Sequence, residues 1–372
     1  MHDVAIIGGG LAGLALSVEL SSKGYDVVLF EKNTYPFHKV CGEYIPNESV
    51  AYLNHLGANL NALGAANINQ FALSTLHGNK MSSTLPLGGI GISRYTLDNE
   101  LANISKTRGA KIFDNTTVLS TEKSKLATTA GDFEARIIIG AHGKRSTIDK
   151  KLNRPFIQKP LSSKDNFIGV KYHVHADLPR NLIELHIFKN GYCGISAIED
   201  NKYCMCYLSK ASNLESNMTI DELEASVLSQ NPILKDYLTR FEKVYDHPKV
   251  ISQIYFQNKE KGNDTLIYAG DAAGLIAPLS GNGMSMALHS AHLLQNEISQ
   301  FLDGQQNENT TLINYSNLWK KAFNQRFRFS KVMQMAFFNP NFMNGLVKSA
   351  NIFPPLASTI IKQTHEKAFF KG

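Results

Sequence analysis

Apolar and polar residues alternate along this chain with two periods, and the first thirty residues show both. Val4-Ala5-Ile6-Ile7 is a continuous apolar run, the pattern of a strand buried on both faces. Glycines follow, and then Leu11, Leu14, Ala15 and Val18 recur at helical spacing until Gly24 closes the helix. Asp26-Val27-Val28-Leu29-Phe30 reads as a second buried strand, ending in Glu31. Thr96 can cap a helix with Leu97, Leu101 and Ile104 on one face and Gly109 at its end. Residues 167–176, 182–188 and 191–209 are rich in β-branched and aromatic side chains with partial alternation. Turn signals at Lys189-Asn190-Gly191 and Asp200-Asn201 divide them, so antiparallel strands are expected. Thr219-Ile220-Asp221-Glu222 is a capping box that opens a helix toward Leu228. Thr265-Leu266-Ile267-Tyr268-Ala269 reads as another strand, and Ala287, Ala291, Leu294 and Ile298 mark a later helix. From about residue 308 the chain turns helical, with Trp319, Phe323, Phe327, Met333 and Phe337 interleaved with lysines and arginines. Asn339-Pro340 and Pro354-Pro355 interrupt that tail. No internal repeat or low-complexity stretch is evident.

At 372 residues the chain is long enough for two domains with an appendage. Its 43% hydrophobic and 19% charged content excludes a disordered or fibrous chain. The net charge of +6 is spread along the length, which permits weak attraction to anions or anionic membranes but supports no nucleic-acid partner. Cys41, Cys193, Cys204 and Cys206 form no C-x-x-C pair. Reduced thiols and a cytoplasmic location are the simpler expectation, with no signal peptide at the start and no apolar run of about 18 residues. His173 and His175 share one strand face, as do Cys204 and Cys206, but alternation alone produces such pairs, and no metal is expected.

The candidate chemistry begins at Gly8-Gly9-Gly10-Leu11-Ala12-Gly13, which fits G-x-G-x-x-G between a strand and a helix. Gly8 allows the tight turn, Gly10 lets backbone approach a pyrophosphate, and Gly13 permits close helix–strand packing. The helix start, with Leu11 and Ala12, offers unpaired N–H groups and partial positive charge to phosphates. Glu31 lies 18 residues beyond Gly13, where an acid can accept hydrogen bonds from ribose hydroxyls, and Lys32 adjoins it. An adenine dinucleotide is expected.

Two later segments narrow the choice. Gly270-Asp271-Ala272-Ala273-Gly274 follows the strand at 265–269, and Pro278-Leu279-Ser280-Gly281-Asn282-Gly283-Met284 opens the next helix. With the N-terminal glycines they resemble the FAD-dependent aromatic hydroxylase family with the para-hydroxybenzoate hydroxylase fold, and its relatives the geranylgeranyl reductases. The resemblance covers about residues 1–300. It implies that Asp271, beside Gly270, binds ribityl hydroxyls of FAD. It also implies that the N–H groups of Asn282, Gly283 and Met284, after Gly281, face the flavin N1–C2=O edge. Arg94-Tyr95-Thr96-Leu97-Asp98 is similar to the family's Arg-x-x-Leu-Asp, in which the Arg contacts FAD; a surface ion pair is the plainer reading of Arg94. Gly140-Ala141-His142-Gly143-Lys144-Arg145-Ser146 resembles Gly-Ala-Asp-Gly-x-x-Ser with His142 in place of the Asp, leaving the role of that position open. Cys41-Gly42-Glu43 is similar to segments near the flavin in geranylgeranyl reductases and some polyketide-tailoring hydroxylases; a loop that packs a small thiol is the alternative.

The expected fold is α/β: a Rossmann-like FAD-binding domain of the glutathione-reductase type with an inserted antiparallel β-sheet substrate domain and a C-terminal helical segment. Residues 1–70, 95–155 and 262–305 are assigned to the first, 71–94 and 156–261 to the second, and 306–372 to the third. A single dinucleotide motif means that NAD(P)H, if it is the reductant, binds only transiently. The function implied is an NAD(P)H-dependent monooxygenase that hydroxylates a hydrophobic aromatic or polyketide-type substrate with O₂, through a flavin C4a-hydroperoxide. No general base stands out; Cys41, Glu43 and Tyr192 are the candidates. The alternative is a geranylgeranyl reductase-like alkene reductase. Gly191-Tyr192-Cys193-Gly194 resembles that group's Gly-Tyr-x-Trp, without the Trp. A flavin-binding protein without turnover is a third reading, prompted by His142. Halogenation is set aside, because the Trp-x-Trp-x-x-Ile-Pro segment it requires is missing and Trp319 is the single tryptophan. The basic, aromatic-rich tail can rest on a membrane surface, pack on its own protein, or wall a greasy substrate tunnel.

Overall fold

The computed structural model describes residues 1–158, 166–277, 283–353 and 368–370. β1 (His2–Ile7), α1 (Leu11–Ser22) and β2 (Val27–Phe30) form the opening strand–helix–strand unit, with the strands parallel. β3 (Tyr44–Pro46) and α2 (Val50–His55) lead to the long antiparallel pair β4 (Ala66–Ser74) and β5 (Lys80–Gly91). α3 (Arg94–Thr107) and β6 (Lys111–Phe113) return to the first sheet, which β7 (Val118–Glu122), β8 (Lys125–Thr128) and β9 (Gly131–Gly140) extend. Two short helices, α4 (Thr147–Lys151) and α5 (Pro155–Gln158), precede the run β10 (Phe167–His175), β11 (Leu182–Phe188), β12 (Gly191–Ala197) and β13 (Tyr203–Lys210). α6 (Ile220–Ser226) and α7 (Pro232–Arg240) follow, then β14 (Glu242–Lys243), β15 (Lys249–Ile254) and the two-residue strands β16 (Gln257–Asn258), β17 (Ile267–Tyr268) and β18 (Gly274–Leu275). α8 (Gly283–Leu302), α9 (Glu308–Phe337) and α10 (Pro340–Ile352) come last.

The fold is α/β, with mixed sheets. The first runs β6-β2-β1-β9-β8-β7, with β17 also on β9; the strands around β1 are parallel and buried on both faces, which explains their unbroken apolar sequence. The second runs β14-β10-β13-β12-β11-β4-β5-β3, with β15 on β10. It is antiparallel except where β11 runs parallel to β4. α1 is buried almost all round, because α3 and α8 pack on it beside the first sheet. Gly8 has φ +105°, and a Cβ there would lie 2.5 Å from the Ala141 carbonyl oxygen. A Cβ on Gly13 would lie 2.0 Å from the Gly8 carbonyl oxygen, so the helix touches its strand only because both positions lack side chains.

Two expectations change, and one of the tail's alternatives is observed. The cap of α3 is Ser93, whose Oγ accepts the Thr96 N–H at 3.1 Å, because the extended residue that precedes the helix is Ser93 and Thr96 already lies in the first turn. Of the strand expected at 265–269 only Ile267 and Tyr268 pair. The amides of Thr265 and Leu266 bond to the Asn263 side chain instead, and the left-handed Gly270 (φ +58°) turns the chain away. The tail packs on its own protein: α9 buries Tyr315, Trp319 and Phe323 against the main core, and Phe369 and Phe370 close on Tyr52, His289 and His292. Pro354-Pro355 lies outside the described residues.

Candidate active site

A cavity of about 880 Å³ starts at the carboxyl ends of β1, β2 and β9 and continues beneath the second sheet. Gly8, Gly10, Leu11 and Ala12 line it at the start of α1, and Glu31 and Lys32 line it just past β2. Gly10 is the extended residue before α1 and no side chain caps that helix, so its first N–H groups are left for a ligand. Glu31 accepts the Gly9 N–H on one oxygen (2.9 Å) and the Asn33 backbone and side chain on the other (3.1 and 2.7 Å). The oxygen bonded to Gly9 keeps a lone pair for a ribose hydroxyl, while the two Asn33 donors fill the other. Arg94 lines the same cavity and grips both Asp98 oxygens at 2.7 Å, while Lys39 joins Asp98 to the Gly9 carbonyl. Arg94 is therefore no surface pair; its side chain is only 12% exposed.

At the other end, Gly270, Asp271, Gly283 and Met284 line the cavity, while Gly281 and Asn282 lie outside the described residues. Burial pushes the Asp271 carboxyl up, against Lys259, Arg94, Lys144 and Lys39, and none of the described side chains bonds to it. Lys259 was not singled out from sequence. Its Nζ donates to the carbonyls of Lys144 (2.6 Å) and Asp271 (2.9 Å), tying the loop after β9 to the turn before α8. Burial lowers its ammonium to about 8. His142 and Gly143 line the cavity, and His142 Nε2 meets Asp149 at 2.9 Å. Asp149 also binds Arg154 (2.8 Å), which reaches the Ala272 carbonyl (2.9 Å). Burial pushes Asp149 up, but His142 and Arg154 outweigh it and hold the carboxyl at about 2. The Nδ1 of His142 is buried with no partner among the described residues, so this replacement leaves a hydrogen-bonding atom available at the cavity.

Between these ends lies a buried cluster centred on Glu43. The residue has φ +54°, and its carboxylate accepts from Arg94 N–H (2.8 Å), Lys171 Nζ (2.5 Å) and His173 Nε2 (2.7 Å). Burial raises its pKa, but Lys171 and then His173 outweigh that and bring it to about 2. Burial likewise pulls Lys171 down and Glu43 more than restores it. The ligand atoms of Glu43, His173 and Cys204 lie within 4.8 Å of one another. A metal ion fits them poorly, because the Lys171 ammonium already holds the carboxylate and the Cys204 thiol donates to the Cys41 carbonyl at 3.3 Å. Burial also raises that thiol's pKa. Glu43 is thus held by three donors that depress its pKa and make it a poor proton acceptor, and it borders the cavity together with Cys41 and Gly42. Lys171 was not singled out from sequence, and His173 was noted only for sharing a strand face with His175; the available signal was three ionisable residues, Lys171, His173 and His175, on one face of an otherwise apolar strand.

Beyond Cys41 the cavity becomes an apolar chamber. Phe71, Leu73, Met81, Ile183, Leu185 and Leu208 form the sheet side, and Met333, Phe337, Met343 and Leu346 of α9 and α10 form the other. Tyr192 lines it too; burial raises its pKa, and its hydroxyl meets no partner among the described residues.

The family model described as an FAD binding domain matches residues 1–325. The Conditioned medium factor receptor 1 of Dictyostelium discoideum is 23% identical, over 90% of this chain and 70% of its own length. The hispidin-3-hydroxylase of Neonothopanus nambi is 23% identical over 78% of each. The solved structure of the flavin-dependent brominase Bmp2 superposes with a TM-score of 0.79 at 17% identity, covering 98% of this chain and 93% of the other, a likeness of fold. An uncapped glycine-rich helix start, an acid past β2 and a free carboxyl before α8 suit FAD from adenosine to ribityl chain. The chain belongs to the FAD-binding-domain family and is an FAD-dependent oxidoreductase.

Proposed function

We propose that the protein is a cytoplasmic NAD(P)H-dependent monooxygenase that hydroxylates a hydrophobic aromatic or polyketide-type substrate. The observation that carries this reading is the continuity of one cavity from Glu31, past Asp271 and Met284, into an apolar chamber roofed by α9 and α10. When bound, FAD supplies the redox chemistry: two electrons from NAD(P)H and the activation of O₂. The net reaction converts substrate, O₂, NAD(P)H and a proton into hydroxylated substrate, water and NAD(P)⁺. The chain's part is binding, orientation and the exclusion of water. In this reading Gly8, Gly10 and Gly13 with the N–H groups of Leu11 and Ala12 take the diphosphate. Glu31 and Lys32 flank the adenosine, Arg94 and Asp271 hold the middle, and Cys41, Gly42, His142, Gly143, Gly270 and the 281–284 helix start surround the flavin. Lys39, Lys144, Arg145 and Lys249 rim the cavity and supply positive charge for the transient dinucleotide.

The domain division at residues 71–94, 156–261 and 306–372 belongs to the same proposal; the separation of the two large sheets supports it in outline, with β3 and the first half of β4 bringing residues 44–46 and 66–70 into the second sheet as well. No helix among the described residues is long and apolar enough to cross a membrane. Peripheral membrane contact through the tail is supported by exposed Val332, Met335, Phe342 and Phe353 near Arg328, Lys331 and Lys348. Alkene reduction is the second reading, favoured by Cys41 and Tyr192 bordering one cavity. Turnover with ¹⁸O₂ separates the two. Label in the product supports the monooxygenase, and product formed under strict anaerobiosis overturns it in favour of the reductase.

A further inference from the structure

The chamber contains an asymmetry that narrows its ligand. Charged residues line the cavity only along the cofactor half and its rim: positions 31, 32, 39, 43, 94, 144, 145, 249 and 271. Among the described residues, the wall formed by β4, β5, β11, β12, α9 and α10 carries no charge. A carboxylate or ammonium buried there would lack a partner, which disfavours a charged ligand on this side. The polar groups offered by this wall and the adjoining β13 are neutral: the free Tyr192 hydroxyl, Ser196, Ser330 and the Cys206 thiol.

Gly194 supplies a second, independent observation. It stands between Tyr192 and Ser196 on the chamber side of β12 and has ordinary strand geometry. A Cβ there would meet only Leu185 at 3.4 Å and the Cys206 carbonyl at 3.8 Å, ordinary contacts. Gly169, on β10, differs: a Cβ would come within 3.1 to 3.3 Å of Ile251, Val40 and Ile254. Protein packing accounts for Gly169 but not for Gly194, and a strand glycine without a steric reason in the protein marks the close approach of a ligand. Cys204, two residues before Cys206 on the same face, bonds to the Cys41 carbonyl, so this bare patch lies at the cofactor end of the chamber. The opposite end is walled by flexible or small side chains, Met333, Met343, Leu346 and Ala350, which adapt to an aliphatic chain.

We propose that the chamber takes an uncharged amphiphile: a phenol-sized ring on Gly194 beside Tyr192 and Cys206, with a long alkyl tail running beneath α9 and α10. This deepens the monooxygenase reading and rests on the same cavity. The test is equilibrium binding of para-alkylphenols, from ethyl to octyl, to the FAD-loaded protein, followed calorimetrically without NAD(P)H. Affinity is expected to rise roughly fourfold per added methylene, and para-octylbenzoate is expected to bind at least tenfold more weakly than para-octylphenol. Ala350→Phe should lower octylphenol affinity at least tenfold and leave ethylphenol unchanged. Met343→Ala, which adds space instead of filling it, should shift the preference to longer chains. An affinity independent of chain length, or octylbenzoate binding as tightly as octylphenol, overturns the proposal. A graded series with no hydroxylation would instead refute the monooxygenase reading and leave the ligand class standing.

Discussion

Glu43 shows how much one buried carboxylate can organise. Three donors from two distant segments converge on it, and Lys171 lies 128 residues away in sequence. Removing the charge strands Lys171 in the interior, so Glu43→Gln should cost about 3 kcal/mol of stability at neutral pH. The sign of the pH dependence follows from its folded pKa of about 2, below the ordinary 4.5. The stabilisation is complete above about pH 4.5 and is lost as pH falls toward 2, so denaturant midpoints of the wild type should fall across that window. The Glu43→Gln variant should lack this component, and identical acid limbs in both proteins would refute it. Glu31→Ala removes the acceptor past β2 and should weaken FAD binding ten- to a hundredfold, at about 1.5–3 kcal/mol for charge-assisted hydrogen bonds, as read by flavin fluorescence titration. Glu31 could be found in the sequence because its role depends on spacing from Gly13 within one local unit. The role of Glu43 could not, because the register that brings Lys171 and His173 to it is a tertiary fact.

At the scale of elements, α1 is shaped by what it lacks: a capping side chain at Gly10 and Cβ atoms at Gly8 and Gly13. Such helix signals are local and legible, as is the Thr219–Glu222 capping box, which forms as its spacing predicts. Lys259 acts between elements, and nothing in its neighbourhood announces that its ammonium will join two loops through their carbonyls. Lys259→Met should release both loops and weaken FAD binding about tenfold for the loss of one to two charged hydrogen bonds, with partial recovery in Lys259→Arg. Equal affinity in wild type and Lys259→Met would remove the residue from the account. The tail's interleaved aromatic and basic residues fit a membrane surface and a packed helix equally well in sequence. Burial of Tyr315, Trp319 and Phe323 decides for packing along that stretch, and the buried Arg326–Glu48 pair at 2.9 Å anchors α9 to the segment before α2. Arg326→Met should therefore destabilise the protein by about 3 kcal/mol, measured by thermal unfolding.

The whole molecule joins two sheets so that one cavity is shared between them. Alternation along β12 and β13 explains how a single sheet serves both sides: Tyr192, Ser196 and Leu208 border the cavity, while Cys193 and Met205 enter a separate core with Tyr172 and Leu223. The presence of these strands was readable from alternation. The parallel pairing of β11 with β4 was not, since no local pattern encodes which distant strand becomes a neighbour. That pairing sets Leu73 and Leu185 on one wall and so creates the chamber's apolar side. The central claim is that the cofactor cleft and the apolar chamber are one space. The visible spectrum of the FAD-loaded protein, titrated with para-octylphenol, tests it most directly. If the two are continuous, the flavin bands shift and saturate at one ligand per chain, in step with the calorimetric binding curve. Ligand binding that leaves the flavin spectrum unchanged would contradict it.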